Sequence, residues 1–303
     1  MIGKLVKKTG VPLIRIYGSL VINLYAGCSI RCVYCSMRSQ GRSMPLLSRR
    51  DIDTTLRIRL RATRPAAVAL GMVSDIYPPE EAQYGLARHL LNMLAEEGIP
   101  FNIVTKSDLV LRDIDLLAAG FSNVCVSAGI TDENAVRLYE PGAPDFARRV
   151  DVVRQLCDAG LAVQVSAPPW IPGVSSTLTL LNTFLPMTRL SFGALDLGEH
   201  LRSQYSGHHY YKKTSFSRAI ADGLTQDKIN RAYLHEAAKF FDTPRTRWLH
   251  PPATAPITNH PAGRSPATNC RPIPIIRPTT WSLRQPAISA RRSEKQASGP
   301  RLP

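Results

Sequence analysis

No run of these 303 residues is long and apolar enough to form a membrane-spanning helix, so no membrane role is expected. Histidine is sparse, and the first one, His89, lies far from the cysteines at the amino end. The spaced Cys and His set of a zinc finger is therefore missing there. Acidic residues are short too: 23 Asp+Glu face 38 Lys+Arg, for a formal net charge of +15. The imbalance is uneven. After Asp242, ten Lys+Arg face a single acidic residue, and half of the 24 prolines lie there as well. The body is only mildly basic, so charge alone does not point to nucleic acid. Residues 243–303 show neither helical nor strand periodicity and are expected to form a disordered basic, Pro-rich tail behind a body of residues 1–242. A clean secretory signal is also lacking. Lys4, Lys7 and Lys8 precede a fairly apolar run, but Arg15 and Asn23 interrupt it. Clustered thiols without such a signal fit a reducing cytoplasm.

What is present is concentrated thiol. Residues 27–35 read Gly-Cys-Ser-Ile-Arg-Cys-Val-Tyr-Cys and hold Cys28, Cys32 and Cys35, half of the six cysteines, in a CxxxCxxC spacing. Three thiols this close can face one point. Thiolates suit iron–sulfur clusters, zinc or Cu(I). Three ligands are one short of the usual four, which leaves a position open. A zinc site would want a fourth ligand nearby, and a thioredoxin-like Cys32/Cys35 pair would leave a cysteine surplus.

Along the chain, apolar runs alternate with helical stripes. Val11–Ile16 and Leu20–Tyr25 read as strands around a turn at Tyr17-Gly18-Ser19, the second running directly into the cysteines. Ser48 with Asp51 three residues on marks a helix start. Further strands are expected at 66–72, 101–106, 123–127, 161–167 and 190–195. Helices are expected from Pro78 to Gly98, in a short piece ending near Gly120, and over 145–159, 177–184 and 215–241. Six strand–helix units with right-handed crossovers give an α/β fold, a partial (β/α)6 TIM-like barrel with parallel strands, its core spanning about residues 20–200. Chemistry in such barrels sits at the carboxyl ends of the strands, where the cysteines, Ser74, Asp75, Lys106 and Ser127 all fall. Singly, each is ordinary strand-end polarity; together they read as a cofactor site.

The cysteine spacing, with Tyr34 just before the last cysteine, resembles the radical S-adenosylmethionine (SAM) enzymes. In that family three cysteines hold three irons of a 4Fe–4S cluster. The fourth iron is chelated by the amino and carboxylate groups of SAM, whose cleavage gives a 5′-deoxyadenosyl radical that abstracts hydrogen. From Val21 to Pro172 the body is similar to the spore photoproduct lyase branch. The similarity is carried by Ser74-Asp75, Thr105-Lys106, Val126-Ser127, Glu140-Pro141-Gly142 with Pro144, and Ala167-Pro168. It implies cluster ligation by Cys28, Cys32 and Cys35, and SAM contacts from Tyr34, Ser74, Lys106 and Ser127. It also implies an electron donor such as flavodoxin or ferredoxin.

Two positions depart from that branch. Its repair enzymes carry a hydrogen-returning cysteine where this chain has Met72, and a tyrosine where it has Ser36. The substrate is therefore left unassigned, with photoproduct repair as one alternative and a zinc-stabilised nucleic-acid-binding protein as another. Arg38, Arg42, Arg49, Arg50 and the tail arginines are the candidate phosphate contacts. Cys125 lies two residues before Ser127 on the same strand face and is expected to pack in the core, as is Cys157. His208–Lys213 could line a substrate mouth, though a solvated loop is the simpler reading.

Overall fold

The computed structural model describes residues 12–16, 18–35, 41–120, 122–194, 226–239 and 246–248. Among these residues ten strands form two sheets: β1 Leu13–Ile16, β2 Ser19–Ile22, β3 Tyr25–Cys28, β4 Gly41–Pro45, β5 Val68–Leu70, β6 Phe101–Thr105, β7 Ser122–Ser127, β8 Ala162–Ser166, β9 Arg189–Phe192 and β10 Thr246–Trp248. The larger sheet has the order β1-β2-β5-β6-β7-β8-β9-β10. Only β1 is antiparallel to its neighbour; from β2 onward every adjacent pair is parallel. The six expected barrel strands are all there, in chain order, as an open (β/α) barrel.

Side-chain alternation explains why this sheet forms and which way it faces. Val68, Leu70, Phe101, Ile103, Val124, Val126, Val163, Val165, Leu190 and Phe192 point to one face. There they share one core with helix residues such as Leu60, Leu90, Leu94, Leu117, Val153, Leu156 and Phe184. The opposite, inner face is different. It carries Ala69, Asn102, Val104, Asn123, Cys125, Gln164, Ser166 and Ser191, with Asn123 donating to Asn102 at 2.9 Å. Cys125 is buried, as expected, but on this inner face and outside the main helix-packed core. Cys157 does lie in that core.

Several expected boundaries move for local reasons. The strand expected to run into the cysteines ends at Ile22; Tyr25–Cys28 leaves the barrel and pairs antiparallel with Gly41–Pro45 as a separate hairpin. The helix expected from Pro78 is broken into Glu81–Tyr84 and Leu86–Glu96 by Gly85 in the left-handed conformation (φ +59°). Ser48 and Asp51 form the expected capping box, each side chain bonding the other's backbone N–H. Helix 145–159 appears as Phe146–Asp158 with Asp145 as its N-cap. At Gly71 (φ +79°) a Cβ would sit 1.9 Å from the Val104 carbonyl oxygen, so only glycine lets β5 leave beside β6.

Two elements come from beyond residue 200. Gln226–Lys239 is helical, within the span expected at 215–241. It does more than cover the outside: Ile229 joins the apolar cluster that contains Val33 and Tyr34 of the cysteine loop. Thr246–Trp248, inside the expected tail, adds a parallel strand to β9. Residues 249–303, Cys270 and His208–Lys213 lie outside the described residues. Among the described residues no helix is long and apolar enough to cross a membrane.

Candidate functional site

The cysteine loop is held by backbone. It leaves the β3–β4 hairpin at Cys28, turns through Arg31 (φ +54°), and closes a second turn from Cys35 N to Cys32 O at 3.2 Å. The segment Tyr139–Gly142 clamps it: Val33 N donates to Tyr139 O at 2.9 Å and Gly142 N donates to Ile30 O at 3.0 Å. A Cβ on Gly142 would stand 2.1 Å from the Ser29 carbonyl oxygen, so the clamp needs glycine there. On the other side Ser29 Oγ donates to Glu80 at 2.6 Å.

Cys28, Cys32 and Cys35 form no disulfide, and each is partly exposed. Burial pushes the Cys28 and Cys32 thiols up, and the nearby carboxylates, Asp75 at Cys28 and Glu140 at Cys32, add to it ahead of the neighbouring sulfurs. The backbone N–H groups of Asp75 and Ile30 work the other way at Cys28, and Lys106 does so at Cys32. The three sulfurs are near enough for Cys28 and Cys35 both to act on the Cys32 thiol. Among the described residues no three Cys, His, Asp or Glu side chains form a ready cage for a single ion. Three thiols with no fourth ligand beside them suit a cluster that keeps one iron open better than a closed zinc site.

Lys106, Ser127 and Tyr34 come together beside this loop. Lys106 Nζ donates to Ser127 Oγ at 2.9 Å, at the ends of the adjacent parallel strands β6 and β7, and lies 5.8 Å from the centre of the Tyr34 ring. Behind them is a fully buried ion pair: Arg149 Nη1 donates to Glu140 Oε2 at 2.6 Å and to the Ser127 carbonyl at 3.1 Å. The Tyr34 hydroxyl donates to Glu140 Oε1, and Lys106 Nζ is 3.8 Å from the same oxygen. Burial pushes the Glu140 carboxyl up, but Arg149, Lys106 and the Tyr34 hydroxyl outweigh it and hold the group below the usual carboxylate range. Lys106 is pushed down by burial, yet the Cys32 sulfur and Glu140 carry it above the usual lysine range.

Ser74 and Asp75 stand differently. The Ser74 hydroxyl is 2.7 Å from Asn23 Oδ1 and 2.8 Å from the Tyr25 carbonyl, so it staples β5 to the root of the cysteine hairpin. Asp75 is buried and braces the Lys106 group from below. Its carboxylate accepts from Lys106 N at 2.9 Å, Thr105 Oγ1 at 2.7 Å and Tyr77 N at 2.9 Å. Burial raises its pKa, while those hydrogen bonds oppose the shift. Of the candidate phosphate contacts, Arg49 is taken by the Tyr84 carbonyl at 3.2 Å. Arg42 is 71% exposed, 4.0 Å from Glu80. Arg38 lies outside the described residues. Sequence reasoning gave no role to Arg149 or Glu140. The signal available was the Glu140-Pro141-Gly142 run itself.

The fold has counterparts. A protein of Mycobacterium tuberculosis described only as uncharacterised is 30% identical over 204 residues, covering 61% of this chain and 60% of the relative. One of Methanocaldococcus jannaschii is 28% identical over 227 residues, covering 69% and 85%. The chain thus spans about six tenths of the length of the mycobacterial relative. Among solved structures, Streptococcus suis SuiB bound to S-adenosylmethionine shares the fold at 14% identity, with a TM-score of 0.51, over 81% of this chain and 53% of that one. Spore photoproduct lyase complexed with dinucleoside spore photoproduct does so at 16% identity, with a TM-score of 0.53, over 76% and 75%. The family model of the radical SAM superfamily matches residues 22–176, half of the chain, and takes in the cysteine loop, Lys106, Ser127 and Glu140. The chain therefore belongs to the radical SAM superfamily.

Proposed function

We propose that this chain is a radical SAM enzyme in which Cys28, Cys32 and Cys35 hold a 4Fe–4S cluster and Lys106, Ser127 and Tyr34 receive SAM. The observation that carries it is the meeting of the Lys106 ammonium, the Ser127 hydroxyl and the Tyr34 ring beside the cysteine loop. When bound, cluster and SAM together supply a carbon radical able to abstract hydrogen from a substrate. The chain's own part is placement. Lys106 has three N–H donors and spends one on Ser127, which leaves donors for a ligand carboxylate. Tyr34 and Ile229 share an apolar cluster that limits water at the cysteine loop. The electron reaches the cluster from a small donor protein of the flavodoxin or ferredoxin kind. Anaerobic reconstitution separates this reading from a zinc protein: iron and sulfide at one 4Fe–4S cluster per chain supports it, and stoichiometric zinc without iron sinks it.

Lys106→Ala is expected to weaken SAM binding and leave the cluster in place. A charge-assisted hydrogen bond to a carboxylate contributes about 1.5–3 kcal/mol, so the loss should be roughly tenfold to a hundredfold. Equilibrium binding of SAM to cluster-loaded protein measures it, and unchanged affinity would return Lys106 to the rim.

Thymine photoproducts in DNA are not the expected substrate. Their repair must quench a substrate radical with a weak X–H bond, and Met72 has a thioether with no S–H. Met72 packs instead against Val21, Ala69 and Val73 on the inner face. Cys125 is a thiol on that face, one row below Ser127, and burial pushes it up to about 11. Multiple turnovers on a photoproduct-containing oligonucleotide would overturn this expectation. Their loss in Cys125→Ala would then name the donor.

A further inference from the structure

Stability gives little reason for a buried ion pair at Glu140 and Arg149, because an apolar pair of similar volume usually does as well or better. Its contacts suggest another reason. Arg149 ties Glu140 to the end of β7 through the Ser127 carbonyl, so the carboxylate is fixed to the barrel. One oxygen, Oε1, then faces both the Tyr34 hydroxyl and the Lys106 ammonium. Tyr34 comes from the cysteine loop and Lys106 from the end of β6. A single carboxylate oxygen therefore sets the relation between the two groups proposed to meet SAM. The Arg149 Nη2 atom is buried and has no hydrogen-bond partner among the described residues.

We infer that Glu140, fixed by Arg149, is a positioning residue for S-adenosylmethionine, aiming the Lys106 ammonium at the carboxylate of that ligand. The inference rests on the proposed role of Lys106. It goes further in assigning part of the affinity to a residue that does not itself touch the ligand. Lys106 reaches Ser127 by one hydrogen bond from a flexible four-carbon stem, and without a carboxylate behind it the ammonium has several other places to go.

The test uses cluster-loaded full-length protein, with SAM and decarboxylated SAM as paired probes in equilibrium binding. Glu140→Asp keeps the charge opposite Arg149 but withdraws it by one methylene; Glu140→Gln removes the charge. Both should weaken SAM, Glu140→Gln by about tenfold, the size of part of one charge-assisted hydrogen bond. Both should bind decarboxylated SAM as the parent does and carry the same iron per chain. In a Lys106→Ala background Glu140→Gln should cost less than about twofold more, within the scatter of additive behaviour. Additive losses, equal losses for both probes, tighter SAM binding or loss of iron in Glu140→Asp would each overturn the inference. If instead Lys106→Ala binds SAM as the parent does, it is the reading of Lys106 that fails, and the inference with it.

Discussion

Replacing Cys28, Cys32 or Cys35 with alanine is expected to remove the stable 4Fe–4S cluster and, with it, SAM cleavage. The loop offers no substitute ligand. It is pinned at both sides, through Ile30 and Val33 to the Tyr139–Gly142 segment and through Ser29 to Glu80, so it cannot slide to bring another donor in. The other described cysteines are elsewhere: Cys125 on β7 and Cys157 in the helix-packed core. Each thiol also has to ionise to bind iron, so loss of its proton and binding of the metal are coupled. Loss of one iron–sulfur bond therefore falls on a site with little reserve. The measurement is iron and sulfide per chain after anaerobic reconstitution, with the visible absorbance bleached by dithionite. Cys157→Ala and Cys270→Ala should match the parent, and equal loading in Cys32→Ala and the parent would contradict the assignment.

How far this was readable from the chain differs by feature. The barrel strands were legible because each is a short apolar run with a helix after it, and parallel strands buried by helices must look like that. Lys106 and Ser127 were legible as a pair for the same reason: both close adjacent strands, and the register aligning Thr105 with Val126 puts the next residues side by side. The break at Gly85 was not, since the leucine stripe continues through it and one left-handed residue decides the outcome. Strand β10 was hidden in a Pro-rich composition that argues against any strand. The bonds of Ser74 to Asn23 and the Tyr25 carbonyl were not legible, because those acceptors lie 51 and 49 residues away in sequence. Arg149 was invisible because an arginine on an amphipathic helix ordinarily faces water. Only the fold brings it against Glu140, with neither side chain exposed.

That pair gives the second large effect. Arg149→Met should destabilise the protein by about 3–5 kcal/mol, the usual cost of leaving one partner of a buried pair uncompensated. For a body of this size each kcal/mol moves the melting point by about 2–4 °C, so the midpoint should fall by roughly 10 °C or more. The double variant Arg149→Met with Glu140→Leu removes both charges and should recover most of the loss, because the desolvation cost leaves with them. The pH dependence has a definite sign. In the parent the Glu140 carboxyl is held below its usual value, so its contribution is present above the unfolded pKa of about 4.3 and is lost as the pH falls through the lower folded pKa. Without Arg149 the burial that raises this carboxyl loses its main opponent, and the variant regains stability as that group takes up a proton. The gap between parent and Arg149→Met should therefore be widest near pH 8 and narrow toward about pH 5. Thermal melts of both proteins across that range measure it. A gap that is constant with pH, or a double variant no more stable than the single one, would mean that Arg149 acts through packing and not through its charge on Glu140.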